Sequence, residues 1–166
     1  MRKLLCVSAA MVLLLAACDQ KKNGVRDEAQ NFLDDYSQEY VKLYTQDQLA
    51  QWISNIEIKK NDSTNTLAAQ KADEALAVFT GSKDNIDKAR KFLDQKAELS
   101  EIQVKQLQYI LYNAANNPQT VADLVKRRIK AENDQTQKLY GFQYTVDGKK
   151  VSTNNIDDIL KNETDV

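Results

Sequence analysis

From Asp27 onward the apolar positions return every three or four residues, through Phe32, Leu33, Tyr36, Tyr40, Leu43, Tyr44, Leu49, Trp52, Ile53 and Ile56. That period puts them on one stripe and predicts a helix over 27–56, with the stripe as a core face because Tyr and Trp bury large area behind a polar tip. Turn and cap residues from Lys59 to Asn65 separate it from a second helix over 64–79. The inner face of that helix is Leu67, Ala68, Ala72, Ala75, Leu76 and Phe79, and its alanines permit a neighbouring helix to come close. Gly81 suits a left-handed residue after the helix, and Ser82 suits the cap of a third helix over 83–96 with Ile86, Ala89, Phe92 and Leu93 inward. Ser100 followed by Gln103 has the spacing of a capping box, opening a fourth helix with Leu107, Ile110, Leu111 and Ala114 inward. Asn117 and Pro118 then suit the cap and first position of a fifth helix, which continues to about Tyr140 through Val121, Leu124, Val125 and Ile129.

The period changes to two at Phe142, Tyr144 and Val146, followed by Asp147-Gly148 and the return Lys149-Lys150-Val151. This predicts a two-residue hairpin near residues 142–152. Thr153 or Asn154 caps a short last helix carrying Ile156, Ile159 and Leu160. The expected fold class is mainly α, a multi-helix array with one small β-hairpin. Amphipathic helices need a partner for each stripe and a lone hairpin is marginal in water, so the chain reads as the N-terminal portion of a larger architecture.

The first residues follow a different logic. Arg2 and Lys3 precede an apolar or small run from Leu4 to Ala17, and the run ends in Leu15-Ala16-Ala17-Cys18. Such a segment is a secretory signal. Its last four residues resemble the bacterial lipobox, in which cleavage precedes the cysteine and the new N-terminal cysteine is acylated. The expected division is a signal peptide over 1–17, a lipidated Cys18 with a flexible polar tether over 18–26, and the helical portion over 27–166. Cys6 falls in the removed segment, which leaves Cys18 as the only thiol site of the mature chain. The implied location is the bacterial cell envelope, with the protein held on a membrane by acyl chains and facing the periplasm or exterior.

Composition narrows the chemistry. The 166 residues include no His, two Cys and one Pro, with a net charge of -1. Without imidazole the chain cannot complete a Ser-His or Cys-His pair or a His-ligated catalytic zinc, and two cysteines cannot build a four-thiolate site. A charge this close to neutral provides no field for nucleic acid. The basic cluster Lys126, Arg127, Arg128 and Lys130 is followed at once by Glu132 and Asp134 and reads as a solvated face. Adjacent carboxylates at Asp34 with Asp35, and at Asp157 with Asp158, point to different parts of a helix surface and read the same way.

Five stretches, in order, carry a resemblance. They are Leu49 to Asn55 with Trp52, Ala77 to Gly81, Gln106 to Pro118 with Tyr109 and Tyr112, Arg128 to Glu132, and Val151 to Leu160. Together they look like the N-terminal part of bacterial members of the angiotensin-converting-enzyme family of peptidyl-dipeptidases, over essentially all of residues 27 to 165. The resemblance implies a largely helical zinc metallopeptidase that removes dipeptides from peptide C-termini, with an H-E-x-x-H helix and a downstream Glu as zinc ligands. None of those ligands maps onto this chain, so no catalytic or metal residue is carried over. Zinc belongs to the full-length family, and this chain is expected to bind none and to be inactive alone. The matched region corresponds to the helical lid over the family's substrate channel, which makes Trp52, Asn55 and Tyr40 candidates for facing that channel. Expected partners are the membrane through the anchor, a C-terminal catalytic portion, and peptides once the two are together. The competing expectation is a stand-alone helical envelope lipoprotein that binds a protein or peptide.

Overall fold

The computed structural model describes residues 2–58 and 63–162, with side chains from Gly24 onward. The order is helix α1 (Arg2–Ile56), α2 (Thr64–Thr80), α3 (Lys83–Leu93), α4 (Glu101–Asn116) and α5 (Ala122–Tyr140), then strands β1 (Tyr144–Val146) and β2 (Lys149–Val151), and helix α6 (Thr153–Asn162). The protein is thus mainly α with one small antiparallel hairpin, as the periodicities predict. Among the described residues no helix is long and apolar enough to cross a membrane.

Helix α1 packs chiefly on α2, α3 on α4, and α2 on α5. One buried cluster joins Ala29, Leu33 and Tyr36 of α1 to Ala89 of α3, Leu99, and Leu107 and Ile110 of α4. A second joins Ala77 of α2 to Val125 and Ile129 of α5. Each fully buried Leu or Ile contributes about 1.5–3 kcal/mol relative to exposure, so these clusters fix the helix pairs.

The start of α1 departs from the expected tether. Residues 24–26 are helical, and Val25 packs against the first cluster. A residue far along the chain also contacts this stretch. Gln103 closes the predicted capping box, its Oε1 accepting from the Ser100 backbone N–H at 3.0 Å while Ser100 Oγ accepts from the Gln103 N–H at 3.3 Å. Its Nε2 then donates to the Arg26 carbonyl at 2.9 Å and to Gln30 Oε1 at 3.2 Å. A single buried side chain therefore starts α4 and clamps it to α1 at Arg26 and Gln30. The side chain of Cys18, and with it the lipid site, lies outside the described residues, as do the turn residues 59–62 and the last four residues.

Other ends shift by a few residues. Ser82 caps α3 as expected, with Oγ accepting from the Asn85 N–H at 3.2 Å, but α3 stops at Leu93 and a 3-10 turn, Lys96–Glu98, follows. Asn117 closes α4, and Pro118 leads into a second 3-10 turn, Gln119–Val121, before α5 begins at Ala122. At the hairpin Asp147 and Gly148 have φ of 50° and 74°, the pair of positive values that a type I′ turn requires. Its register pairs Tyr144 with Val151 and Val146 with Lys149. Pairing begins at Tyr144, not Phe142, whose ring meets that of Tyr144 edge-on at 4.7 Å. Ser152, one residue before the expected caps, precedes α6, and its carbonyl accepts from the Asn155 N–H at 3.0 Å.

Gly81 has φ of -87°, so the expected left-handed conformation is absent. Its need is space. A Cβ there would lie 1.8 Å from the Asn117 carbonyl oxygen. Asn117 is the hub of this corner: its Nδ2 donates to Thr80 Oγ1 at 3.0 Å, its Oδ1 accepts from Arg128 Nη2 at 2.8 Å, and its carbonyl accepts from Gln119 Nε2 at 3.0 Å. The network ties the end of α2 to α5 through the α4–α5 connection.

The second half of α1 reverses the expected burial. Leu49, Trp52 and Ile56 were expected in the core, yet they are 58%, 63% and 58% exposed, whereas Asp47 and Ser54 are buried. At about 100° per residue, Val41, Leu49, Trp52 and Ile56 share one outer face, with Asp47 and Ser54 roughly opposite. The polar side is held by the other helices. Gln137 Nε2 of α5 donates to Ser54 Oγ at 2.8 Å, and Gln51 Nε2 donates to the buried Asn133 Oδ1 at 3.4 Å.

Candidate functional site

A cleft of about 340 Å³ lies between α1 and α4. Helix α1 supplies Leu33, Tyr36, Ser37, Tyr40 and Val41, and α4 supplies Lys105, Gln106, Tyr109, Ile110 and Asn113. Both sets follow helical spacing, so each helix offers one continuous face. Tyr36, Tyr40 and Tyr44 are four residues apart and form a ladder, with neighbouring ring centroids 6.1 Å and 5.8 Å apart and planes within 14°. Phe79 of α2 holds the foot of the ladder, its ring 4.9 Å from that of Tyr36.

Polar groups in the cleft are of two kinds. Burial raises the Tyr40 pKa, and the neighbouring Tyr109 and Tyr44 add to the rise. Tyr36 is 6% exposed, and its hydroxyl has no hydrogen-bond partner among the described residues; Asn113 Nδ2 is likewise buried and unpartnered. An unmade bond at a buried polar atom costs about 1–3 kcal/mol. Burial first, and then Tyr40 and Tyr109, push the Tyr36 pKa up to about 12, so the group stays neutral. Lys105, which also lines the cleft, makes an exposed pair with Glu101 at 2.7 Å.

Of the three residues expected to face a channel, Tyr40 lines this cleft. Trp52 stands on the exposed face of α1, while Asn55 is partly buried with an unpartnered Oδ1. The structure therefore does not gather Tyr40, Trp52 and Asn55 around one cavity within the described residues. Tyr36 and Asn113 went unnoticed as site residues in the sequence: Tyr36 read as stripe, and Asn113 carried no local signal at all.

A second polar region sits where α1, α2 and α5 meet. Asp47 is 5% exposed, with Oδ2 accepting from Gln48 Nε2 at 3.0 Å and Oδ1 unpartnered. Burial raises its pKa against the opposing effect of hydrogen bonds from Gln48 and Gln51. Asp73 of α2 is raised from 3.8 to about 6, first by burial and then by Asp47, with Glu132 and Glu74 adding to the rise and Arg128 opposing it. The native state therefore keeps this proton to about pH 6, whereas the unfolded chain releases it near 3.8. The penalty is absent below the lower value and complete above the upper one, so stability falls as pH rises through that window. After allowance for partial exposure, Asp73→Asn is expected to raise stability by about 1–2 kcal/mol at neutral pH and by almost nothing near pH 4. Urea titrations of both chains across the window test this; a gain that does not vary with pH contradicts it.

The chain has no His, and among the described residues no three His, Cys, Asp or Glu side chains lie close enough to hold a metal ion. No family model, curated protein or solved structure matches this chain.

Proposed function

We propose that this chain is the lid and substrate-gating portion of an exported, lipid-anchored zinc peptidyl-dipeptidase, without catalytic capacity of its own. The observation that carries the reading is the inverted burial of α1, whose outer stripe of Val41, Leu49, Trp52 and Ile56 is more than half exposed while Asp47 and Ser54 face inward. An exposed apolar stripe of this kind, broken at Thr45 between Val41 and Leu49, calls for a covering surface. Further large apolar side chains stand out from the bundle at Ile102, Tyr112, Leu139 and Leu160. The ordered resemblance from Leu49 to Leu160 supplies the identity of the covering body: the helical, zinc-bearing remainder of that peptidase family. In this arrangement the bundle caps a channel whose chemistry is performed elsewhere.

A photo-crosslinking amino acid in place of Trp52, in the chain expressed in its own bacterium, tests the reading. The expected adduct is a polypeptide with an H-E-x-x-H motif, and the purified chain with added zinc should release no dipeptides from a C-terminally blocked reporter's free-acid counterpart. Adducts confined to unrelated envelope proteins would support the second reading, a stand-alone helical lipoprotein binding a partner. That alternative draws on the two internal clusters, which give the bundle a core of its own. Cys18→Ser addresses the anchor separately. It is expected to abolish acyl incorporation and move the chain from the membrane to the soluble fraction; unchanged fractionation would count against lipidation.

A further inference from the structure

We infer that the junction of α1, α2 and α5 is a proton-operated latch. While Asp47 and Asp73 hold protons, residues 41–56 of α1 are fastened to α2 and α5; when both carboxyls ionise, that segment loosens and the rest of the bundle stays closed. The way the segment is attached carries the inference. No residue of 41–56 belongs to either buried apolar cluster, and the α1 side chains packed in or against them end at Tyr40. Within the segment the buried residues are Asp47 and Ser54, while Leu43 and Ile53 are only partly buried. Neutral groups make its bonds to α5, Gln51 Nε2 donating to Asn133 Oδ1 and Gln137 Nε2 donating to both the hydroxyl and the carbonyl of Ser54. A stretch held in this way lies at the low-stability end of a fold and can open by itself.

Charge works against that hold. Asp47 is buried, and its Oδ1 has no hydrogen-bond partner among the described residues. The charged groups acting on Asp73 are Asp47 from α1, Glu74 from its own helix, and Arg128 and Glu132 from α5. Four carboxyls thus stand around one guanidinium, which is already bonded to Glu132 and Asn117. A carboxylate buried without full compensation is costly, and either a proton or access to water relieves it. Ionisation and opening of the segment therefore favour one another. Burial first, and then Asp47, raise the Asp73 pKa from 3.8 to about 6, so the hold is complete below the lower value and is lost as pH climbs to the upper one. The segment that loosens carries Val41, Leu49, Trp52 and Ile56, so the latch sets how firmly the exposed stripe is presented. The inference holds whatever body covers that stripe, and it goes beyond a change in overall stability because the response is confined to one segment.

Amide hydrogen exchange of the full chain in detergent micelles, resolved by peptide and corrected for the intrinsic pH dependence of exchange, tests the latch. Between about pH 4.5 and about pH 7, opening of residues 43–56 is expected to become about tenfold more frequent, with the α4 peptides around Leu107 and Ile110 unchanged. Asp47→Asn and Asp73→Asn copy the shape of the protonated carboxyls, so both variants should fold. Each is expected to reduce the pH response of 43–56, and the double substitution to keep opening at its acid level throughout. Opening of 43–56 that does not vary with pH, a response of equal size around Leu107, or a response that survives the double substitution would each overturn the proposal.

Discussion

Gly81→Ala is expected to lower folding stability by about 3 kcal/mol, at the upper end of overpacking costs. The added carbon would be 1.8 Å from the Asn117 carbonyl oxygen and 2.8 Å from its carbon, both backbone atoms that no rotamer change can move aside. Relief requires the α2 corner to part from the α4–α5 connection, and that connection is held by three side-chain bonds, to Thr80, Arg128 and Gln119. The substitution therefore combines a steric clash with the loss of a polar hub. Gly24→Ala is the control: it is helical, with nothing within 4 Å of the new carbon, and should be neutral or stabilising by up to about 1 kcal/mol. Chemical denaturation of the two variants gives the comparison, and a Gly81→Ala loss under about 1 kcal/mol would mean that the corner is looser than described.

Leu107→Ala is the second large effect, expected to destabilise by about 3 kcal/mol within the usual 2–5 range for a fully enclosed leucine. Leu107 is 0% exposed and belongs to the cluster that joins α4 to α1 and α3. The side chain removed leaves a cavity between helices that cannot close without breaking the Gln103 clamp on Arg26. For a chain of this size that corresponds to a fall in melting temperature of about 10 °C. Ile102, five residues earlier on the same helix and 70% exposed, should change by no more than about 0.5 kcal/mol when replaced by Ala. Comparable losses at the two positions would show that α4 presents a different face to α1.

The local signals were the legible ones. Ser82, the Ser100–Gln103 box and Asp147-Gly148 each specify a backbone feature through residues three or fewer positions apart, and each forms as expected. Helix periodicity identified which residues share a face, but a period cannot say which face is covered. On α1 that ambiguity reversed the reading of Leu49, Trp52 and Ile56, because the neighbours reach this helix through Asp47, Ser54 and Gln51. The helical state of residues 24–26 was hidden for a similar reason. Their own composition is polar, and their contacts come from far along the chain, through Gln103, 77 positions from Arg26. Gly81 was noticed for its freedom of φ, though the demand on it comes from a carbonyl on another helix end. At the cleft, the tyrosine spacing was visible as a stripe, but which residues of α4 line the other wall depends on the register of α4 against α1, which no short window encodes.

The placement of aromatic residues divides the protein's ultraviolet signals between its two surfaces. Its one tryptophan, Trp52, stands on the exposed stripe, whereas Tyr36, Tyr40 and Tyr109 border the cleft. Covering the stripe should shift indole emission to the blue, while filling the cleft should perturb phenol absorbance and leave the indole band in place. The unmodified chain thus carries an optical gauge for each event, and the order in which two occupants arrive can be timed in one mixing experiment without attaching a dye.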